Sequence, residues 1–147
     1  MWKIIVATCG LLLATVSSAQ ETPRFHVGLT IKVGGTILCD TAEQLSSILA
    51  AHQINWDAGM AKLRELNAVR NDIGEPVCVL ISSYSSAVVT FVAEVAHFDN
   101  IVLPNGEVKT FYVAAVYYQR QDGSSVPGFI ISAYPIHGGP EPASFSL

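Results

Sequence analysis

The stretch that decides the fold lies between two cysteines: it begins CDTAEQ at residues 39–44 and ends EPVC at residues 75–78. Two helical patterns fill most of the interval, and the chain on either side of it has β-type patterns. We therefore expect a disulfide between Cys39 and Cys78 that attaches a helical insert to a sheet. Closing a loop of about 40 residues stabilises the folded chain by roughly 4 kcal/mol in the chain-entropy model.

Metal binding and thiol catalysis are the alternatives for these cysteines. Zinc sites usually contain a close C-x-x-C or H-x-x-x-H pair, and the sequence has neither. The four histidines, His26, His52, His97 and His137, are not spaced as ligands either. We expect His52 to be a packed or rim histidine on the apolar face of a helix. We predict no metal and no cofactor, and a metal site assembled from distant histidines is the alternative.

The first residues of the chain have the pattern of a secretory signal peptide. MWK at residues 1–3 carries a positive charge, residues 4–16 are an apolar run, and SSA at residues 17–19 is a suitable cleavage site. The run is shorter than the roughly 20 residues that span a membrane, so an uncleaved anchor is the less favoured alternative. Cys9 lies in the middle of the run, which argues against a lipoprotein. We predict a mature chain of residues 20–147 that forms a single domain without a membrane span.

The composition limits the classes of partner. The whole-chain formal charge is −4, and loss of Lys3 with the signal peptide makes the mature charge −5 (−4 minus one positive charge). No cluster of lysine or arginine occurs, which counts against nucleic acid and anionic lipid surfaces as partners. Half of the residues are hydrophobic and only 14% are charged. We therefore expect a sizeable core with apolar surface left over for a protein or small-molecule partner.

The helical insert has its own start and stop signals. Thr41 and Gln44 have the spacing of a capping box. Apolar residues then recur at helical spacing as far as His52, and a second helical pattern runs over residues 58–69. Pro76 ends the insert. Because both helical patterns have charged outer faces, we expect their apolar stripes to pack on the core.

The rest of the chain predicts an antiparallel sheet. Alternation of apolar and polar residues predicts one strand over Phe25–Val33, and an Asn-Gly pair within Leu103–Gly106 predicts a hairpin turn. Further strands are predicted at residues 77–81, 87–98, 108–119 and 128–134. The fold class is therefore α+β: a four- to five-stranded antiparallel meander sheet, open or barrel-like, with a two-helix insert on one face. We expect the tail from about residue 137 to be flexible.

Three polar residues near the end of one predicted strand, Glu94, His97 and Asp99, are weak candidates for a polar site. His97 and Asp99 could orient one another beside a serine such as Ser83. However, the sequence lacks the G-x-S-x-G turn that presents a nucleophilic serine. For Glu94 we expect a solvent-facing side chain that pairs with Lys109 across the hairpin. The sequence therefore predicts no catalytic residue.

The predicted strand that ends in two tyrosines is apolar on both faces. Tyr112 and Tyr118 alternate onto one face and Tyr117 onto the other. If a domain of this size leaves one face partly open, one of these sets forms a partner-binding surface. A tyrosine ring suits such a surface, because it can lie on apolar groups while its hydroxyl stays hydrated. The alternative is a central strand that is covered on both faces.

The leading hypothesis is an exported protein, periplasmic or secreted, that binds an unknown protein or small molecule without catalysis. A small secreted hydrolase or an enzyme inhibitor is the alternative from another class. A cleft in which the polar candidates or a serine converge would support it. A self-associating structural envelope protein, such as a homodimer, is the third hypothesis.

Overall fold

The computed structural model describes residues 25–139 and, for the backbone only, residues 143–145. The predicted signal peptide at residues 1–19, including Cys9, lies outside the described residues. Residues 20–24, and residues 140–142 and 146–147 of the predicted flexible tail, also lie outside them. No helix in the described part of the chain is long and apolar enough to cross a membrane.

The predicted pair of helices lies between the third and fourth strands. The helices are α1 (Ala42–Ile54) and α2 (Trp56–Asn67). The strands of the described residues are β1 (Phe25–His26), β2 (Thr30–Val33), β3 (Thr36–Cys39), β4 (Cys78–Ile81), β5 (Ala87–Val102), β6 (Val108–Gln119), β7 (Ser125–Ser132), β8 (Ile136–His137) and β9 (Ala143–Phe145).

Six of the described strands form one antiparallel path in the order β2-β5-β6-β7-β3-β4. β9 adds to β5 in parallel, and β1 pairs in parallel with β8. β2 and β3 lie at places one and five of this order, yet only Gly34 and Gly35 separate them along the chain. The sheet must therefore curl until its ends approach each other, which makes it a half-barrel. The α+β class with a curled antiparallel sheet is confirmed, with six strands where we predicted four or five.

The helix pair begins and turns at capped ends. Thr41 caps α1: its Oγ1 accepts the backbone N–H of Gln44, whose side chain accepts the N–H of Thr41. This is the predicted capping box. A single residue, Asn55, joins the helices, and its side chain accepts the N–H of Ala58 in the first turn of α2. The connection is therefore shorter than predicted, and α2 begins at Trp56.

One face of the half-barrel packs against the helices. Buried residues of α1, α2, β3, β5 and β6 meet there, together with the two cysteines. We call this group the helix-side core; its members are Ile37, Cys39, Leu45, Ile48, Leu49, Leu63, Val77, Cys78, Ala96, Phe98, Ile101 and Val113.

The opposite face carries a second core. Its buried members are Val89, Phe91, Ala114, Val116, Ile130 and Ile136. Ile31 and Val33 of β2 pack against this group from one end of the sheet, and Leu38 of β3, the strand next to the other end, packs against it too. Because both ends of the sheet contribute, this is the concave face, and we call the group the concave core. Full burial of a side chain such as Phe91 contributes roughly 1.5–3 kcal/mol.

Cys39 and Cys78 form the predicted disulfide. The two residues lie directly opposite each other on β3 and β4, and both are buried. β3 leads into the helix pair and β4 follows it, so the bond closes the insert at its base.

The predicted continuous strand over Phe25–Val33 is wrong. β1 ends at His26, and the backbone N–H of Leu29 donates to the carbonyl oxygen of His26 at 3.1 Å in a turn. Gly28, with a φ of 91°, supplies the left-handed conformation of this turn at no steric cost. The turn separates β1, which pairs with β8, from β2, which pairs with β5.

Candidate functional site

A cleft of about 560 Å³ opens at the seam of the half-barrel, beside the turn formed by Gly34 and Gly35. Residues of both cores line it: Ile37 and Leu63 belong to the helix-side core, and Phe91 belongs to the concave core. Small-molecule sites are typically clefts of roughly 300–1,000 Å³ with mostly apolar walls and few polar groups. The cleft therefore has the size and the lining of a small-molecule site.

His52 is the polar side chain that α1 places in this cleft. It lies on the buried face of the helix, and only 3% of its surface is exposed. Its ring stacks on that of Trp56, the first residue of α2, with the ring centroids 4.1 Å apart. Gly59 lies further along α2, and its lack of a side chain leaves the space that the imidazole fills.

The imidazole of His52 has an unpaired nitrogen. Nδ1 is buried and has no hydrogen-bond partner among the described residues. Burial lowers the pKa of His52 from its ordinary value of 6.5, and the backbone of Trp56 opposes this shift only in part. The ring is therefore neutral at pH 7, with one N–H donor and one acceptor nitrogen. Nδ1 lies against Gly59 of α2, so the helix backbone covers it and it is not open to the cleft.

The other polar side chains of the cleft wall are paired or lie in solvent. Thr36 Oγ1 donates to the carbonyl oxygen of Ile131 at 2.7 Å. Ser132 Oγ donates to the carbonyl oxygen of Tyr134 at 2.6 Å and accepts the N–H of the same residue at 3.1 Å. Lys32 is exposed, and it is the one charged side chain among the described residues that line the cleft.

A second cleft, of about 610 Å³, lies near the turn between β6 and β7 and is more polar. Arg120 donates two hydrogen bonds, of 3.0 and 3.2 Å, to the carboxylate of Glu75. This contact raises the pKa of Arg120, and Tyr118 adds to the shift. Hydrogen bonds from Ser124 lower the pKa of Asp122. Because these charged side chains already pair with other groups of the protein, the second cleft is a weaker candidate for a ligand site than the first.

Glu94 is buried, with 7% of its surface exposed, so the predicted solvent-facing position is wrong. β5 changes register on both sides of this residue, so simple alternation from Phe91 no longer holds and Glu94 turns to the concave face. There it lies opposite Ala114 and not beside Lys109. Its Oε1 accepts the backbone N–H of Ile136 at 2.9 Å, which ties β8 to the sheet.

His97 and Tyr112 lie on the same face as Glu94. His97 Nδ1 is 3.7 Å from Glu94 Oε2, and the ring centroids of His97 and Tyr112 are 5.7 Å apart. Burial, and then the negative charges of Glu94 and Asp99, raise the pKa of Tyr112. Asp99 accepts a hydrogen bond of 2.8 Å from a threonine hydroxyl of β6. The structure thus brings the three weak candidates together with Tyr112, but none of them lines the cleft of about 560 Å³.

The three predicted binding tyrosines differ in exposure. Tyr117 is 50% exposed. Tyr112 and Tyr118 are half-buried, and Tyr118 packs against the concave core. A partner-binding role for these tyrosines stays a prediction, and none of the three lines the first cleft. Ser83, which we considered beside His97, lies in the exposed turn between β4 and β5.

One residue of the sequence, Gly59, is a sign of the cleft that helical periodicity does not reveal. Gly59 lies inside a helical pattern, where glycine costs stability unless a neighbouring group needs the space. We interpreted His52 as a packed or rim histidine, and its burial confirms the packing. Periodicity alone could not show that this ring lies against Gly59 and at the wall of a cleft.

No group of three or more His, Cys, Asp or Glu side chains within the described residues could hold a metal ion. Comparisons with protein-family models, with curated proteins and with solved structures find no match for this chain. The geometry of the cleft is thus the basis for a functional proposal.

Proposed function

We propose that this protein is an exported, non-catalytic binding protein that holds a small apolar molecule in the cleft at the seam of the half-barrel. One observation carries the proposal: the cleft of about 560 Å³ is lined mostly by apolar residues, with few polar side chains among its described lining residues. Small-molecule sites combine these two properties, because apolar area supplies affinity and a few polar groups supply orientation.

The driving force would be the removal of apolar surface from water. Trp56, Met60 and Phe111 line the cleft and are only partly buried. A ligand that covers them gains roughly 25 cal/mol for each Å² of apolar surface that it buries. Leu80 and Ala133 also line the cleft and are exposed, so a ligand can enter from their side.

Two features of the chain support export. The N-terminal sequence has the pattern of a signal peptide, and the disulfide between Cys39 and Cys78 suits an oxidising compartment. The exported protein should begin at Gln20, which intact-mass measurement tests. A species that keeps residues 1–19, or that carries a lipid on Cys9, would contradict this part of the proposal.

Tryptophan fluorescence tests ligand binding directly. Trp2 belongs to the predicted signal peptide, so Trp56 would be the only tryptophan of the mature chain, and it lines the cleft. The neutral apolar probe N-phenyl-1-naphthylamine should bind saturably. Its bound form should fluoresce more strongly and should quench Trp56 by energy transfer.

A pair of matched variants assigns the binding to the cleft. Ala133→Phe adds a ring at the wall and should weaken probe binding several-fold. Ala50→Phe adds the same ring on the exposed side of α1, outside the cleft lining, and should bind as the wild type does. Probe binding that does not saturate, or that is equal in the two variants, would contradict the proposal.

A further inference from the structure

The pairing of β1 with β8 brings together two histidines from opposite ends of the described chain. His26 and His137 are direct register partners in this parallel pair. We propose that their imidazoles form a binding site for a divalent transition-metal ion of the class of Cu²⁺, Ni²⁺ and Zn²⁺. Neither histidine lines the cleft, so this inference does not depend on the proposed function.

Both imidazoles leave the same face of the β1–β8 pair. The preceding residues, Phe25 and Ile136, are register partners as well, and both pack in the concave core. Because successive side chains of a strand point to opposite faces, His26 and His137 both point away from that core. Both histidines are exposed, as this placement requires.

The spacing of neighbouring strands suits one ion that is shared by two rings. Paired strands lie about 4.8 Å apart, and partners in register start from that separation. Metal–nitrogen bonds of about 2.0–2.1 Å place two neighbouring ligand nitrogens roughly 3 Å apart. Rotation about the side-chain torsions of the two histidines can bring their ring nitrogens to this separation.

A hydrogen bond to the backbone prepares His26 as a ligand. Its Nδ1 lies 3.1 Å from the carbonyl oxygen of Val27, and since a carbonyl oxygen only accepts, Nδ1 carries the ring proton. In the neutral ring Nε2 then has the free lone pair that a metal ion needs. Histidines that bind metals in proteins usually donate a hydrogen bond from the second ring nitrogen in this way.

The backbone that carries the two histidines is held in place. The N–H of Val27 donates to the carbonyl oxygen of His137 at 2.9 Å, which joins β1 to β8. Phe25 stacks on Phe91 with the ring centroids 5.2 Å apart, and Glu94 anchors β8 through its hydrogen bond of 2.9 Å. Ligands on a positioned backbone lose less conformational freedom when the ion binds.

Two imidazoles select the class of ion. Imidazole nitrogen suits Zn²⁺, Cu²⁺ and Ni²⁺, whereas Mg²⁺ and Ca²⁺ prefer oxygen ligands. Within the described residues no third His, Cys, Asp or Glu side chain joins the pair, so water or an external ligand would complete the coordination. The site is therefore weaker than a structural zinc site with four protein ligands, and it keeps open positions.

Calorimetric titration of the exported protein, purified without an affinity tag, tests the inference. Cu²⁺ should bind with one ion for each chain and more tightly than Ni²⁺ or Zn²⁺, and Mg²⁺ should not bind. His26→Gln and His137→Gln should each weaken Cu²⁺ binding at least about tenfold, because one ring alone cannot chelate the ion. The double variant should bind little more weakly than either single variant, and the control His97→Gln should bind as the wild type does.

The single variants distinguish chelation from two independent surface histidines. Independent histidines would leave one site of unchanged affinity in each single variant, and that result would overturn the inference. Pulsed EPR of the Cu²⁺ complex should detect two imidazole rings in the wild type and one in either single variant. A single ring in the wild type would also overturn it.

Thermal unfolding adds a measurement that does not depend on Cu²⁺. The two ligands meet only in the folded chain, so Zn²⁺ should raise the melting temperature of the wild type. The shift should be absent in the double variant. An equal shift in the double variant would show that the ion binds elsewhere and would overturn the assignment to His26 and His137.

Discussion

The imidazole ring of His52 occupies the space in which a Cβ at residue 59 would stand. An added Cβ at Gly59 would overlap the His52 ring at Nδ1, Cγ and Cε1. The two residues lie on successive helices that a single residue joins, so the missing side chain lets the ring pass close to the backbone of α2. The wall of the cleft at Trp56 depends on this contact, because the same ring stacks on that tryptophan.

The Gly59→Ala variant tests this contact, because the contact decides whether the variant raises or lowers the free energy of unfolding. In an ordinary helix interior, Gly→Ala raises the free energy of unfolding by up to about 1 kcal/mol. Here Gly59→Ala should lower it by about 1–3 kcal/mol, because the new methyl group displaces the His52 ring. Urea denaturation measures the difference.

Two control variants separate the contact from helix propensity. In a His52→Ala background, Gly59→Ala should be neutral or stabilising, because the ring is gone. Ala61→Gly, at an exposed position of α2, should lower the free energy of unfolding by up to about 1 kcal/mol. This variant measures how much helix propensity alone contributes in α2. A stabilising effect of Gly59→Ala in the wild-type background would show that the ring does not lie against residue 59.

The lowered pKa of His52 predicts an acid-sensitive fold. Because burial holds this pKa below 6.5, the unfolded chain binds a proton below about pH 6.5 that the folded imidazole does not. The free energy of unfolding should therefore fall as the pH drops below about 6.5, with a slope of up to about 1.4 kcal/mol per pH unit, and the loss should level off below the folded-state pKa.

Comparison with His52→Gln isolates this contribution from the other histidines. The difference in unfolding free energy between wild type and variant should be constant above about pH 7 and should shrink below about pH 6.5. A difference that does not change with pH would show that His52 titrates equally in the folded and unfolded chains.

The buried carboxylate of Glu94 should stabilise the attachment of β8. Glu94→Ala leaves the backbone N–H of Ile136 without its acceptor and should lower the free energy of unfolding by about 1–3 kcal/mol. Glu94→Gln keeps an acceptor oxygen and should cost less. Hydrogen exchange should show faster exchange of the Ile136 amide in Glu94→Ala than in the wild type.

The matched control for Glu94 is an exposed acid of α2. Glu65 pairs with Lys62 at 3.3 Å on the surface, and Glu65→Ala should change stability by no more than about 0.5 kcal/mol. If the two alanine variants cost the same, the contact from Glu94 to β8 contributes nothing to stability.

Tyr117 is the tyrosine that should serve a partner-binding surface. Since half of its surface is exposed, Tyr117→Ser should leave the melting temperature nearly unchanged. The same variant should weaken self-association or partner capture, which sedimentation and pull-down measure. Tyr118→Ser removes a ring that packs on the concave core and should lower the melting temperature. A large loss of stability in Tyr117→Ser with unaltered association would assign Tyr117 to the core.

Local patterns were sufficient for the helix pair and for much of the sheet. The capping box from Thr41 to Gln44, the hairpin turn at Asn105 and the bounds of β6 all agree with the prediction. These features depend on side chains within a few residues of one another, which is the distance over which helical and strand periodicity carry information. The disulfide was also predictable, because export would leave a single pair of cysteines.

The features that the sequence did not predict depend on contacts between segments that are distant along the chain. The irregular register of β5 turned Glu94 inward, and its partner Ile136 lies 42 residues away. Likewise β1 and β9 find their places through parallel pairing with β8 and β5, which no local signal announces.

The sequence by itself therefore determined an α+β chain with a helix pair closed by a disulfide. Capping and periodicity are local properties of the sequence, and the predicted mature chain has only two cysteines that can pair. Only the tertiary structure decided that the sheet curls and leaves a cleft at its seam, with His52 unpaired at the wall. The physical reason is that curl and cleft arise from the joint packing of β2, β3 and both helices, and the pattern of any one segment is compatible with an open sheet as well.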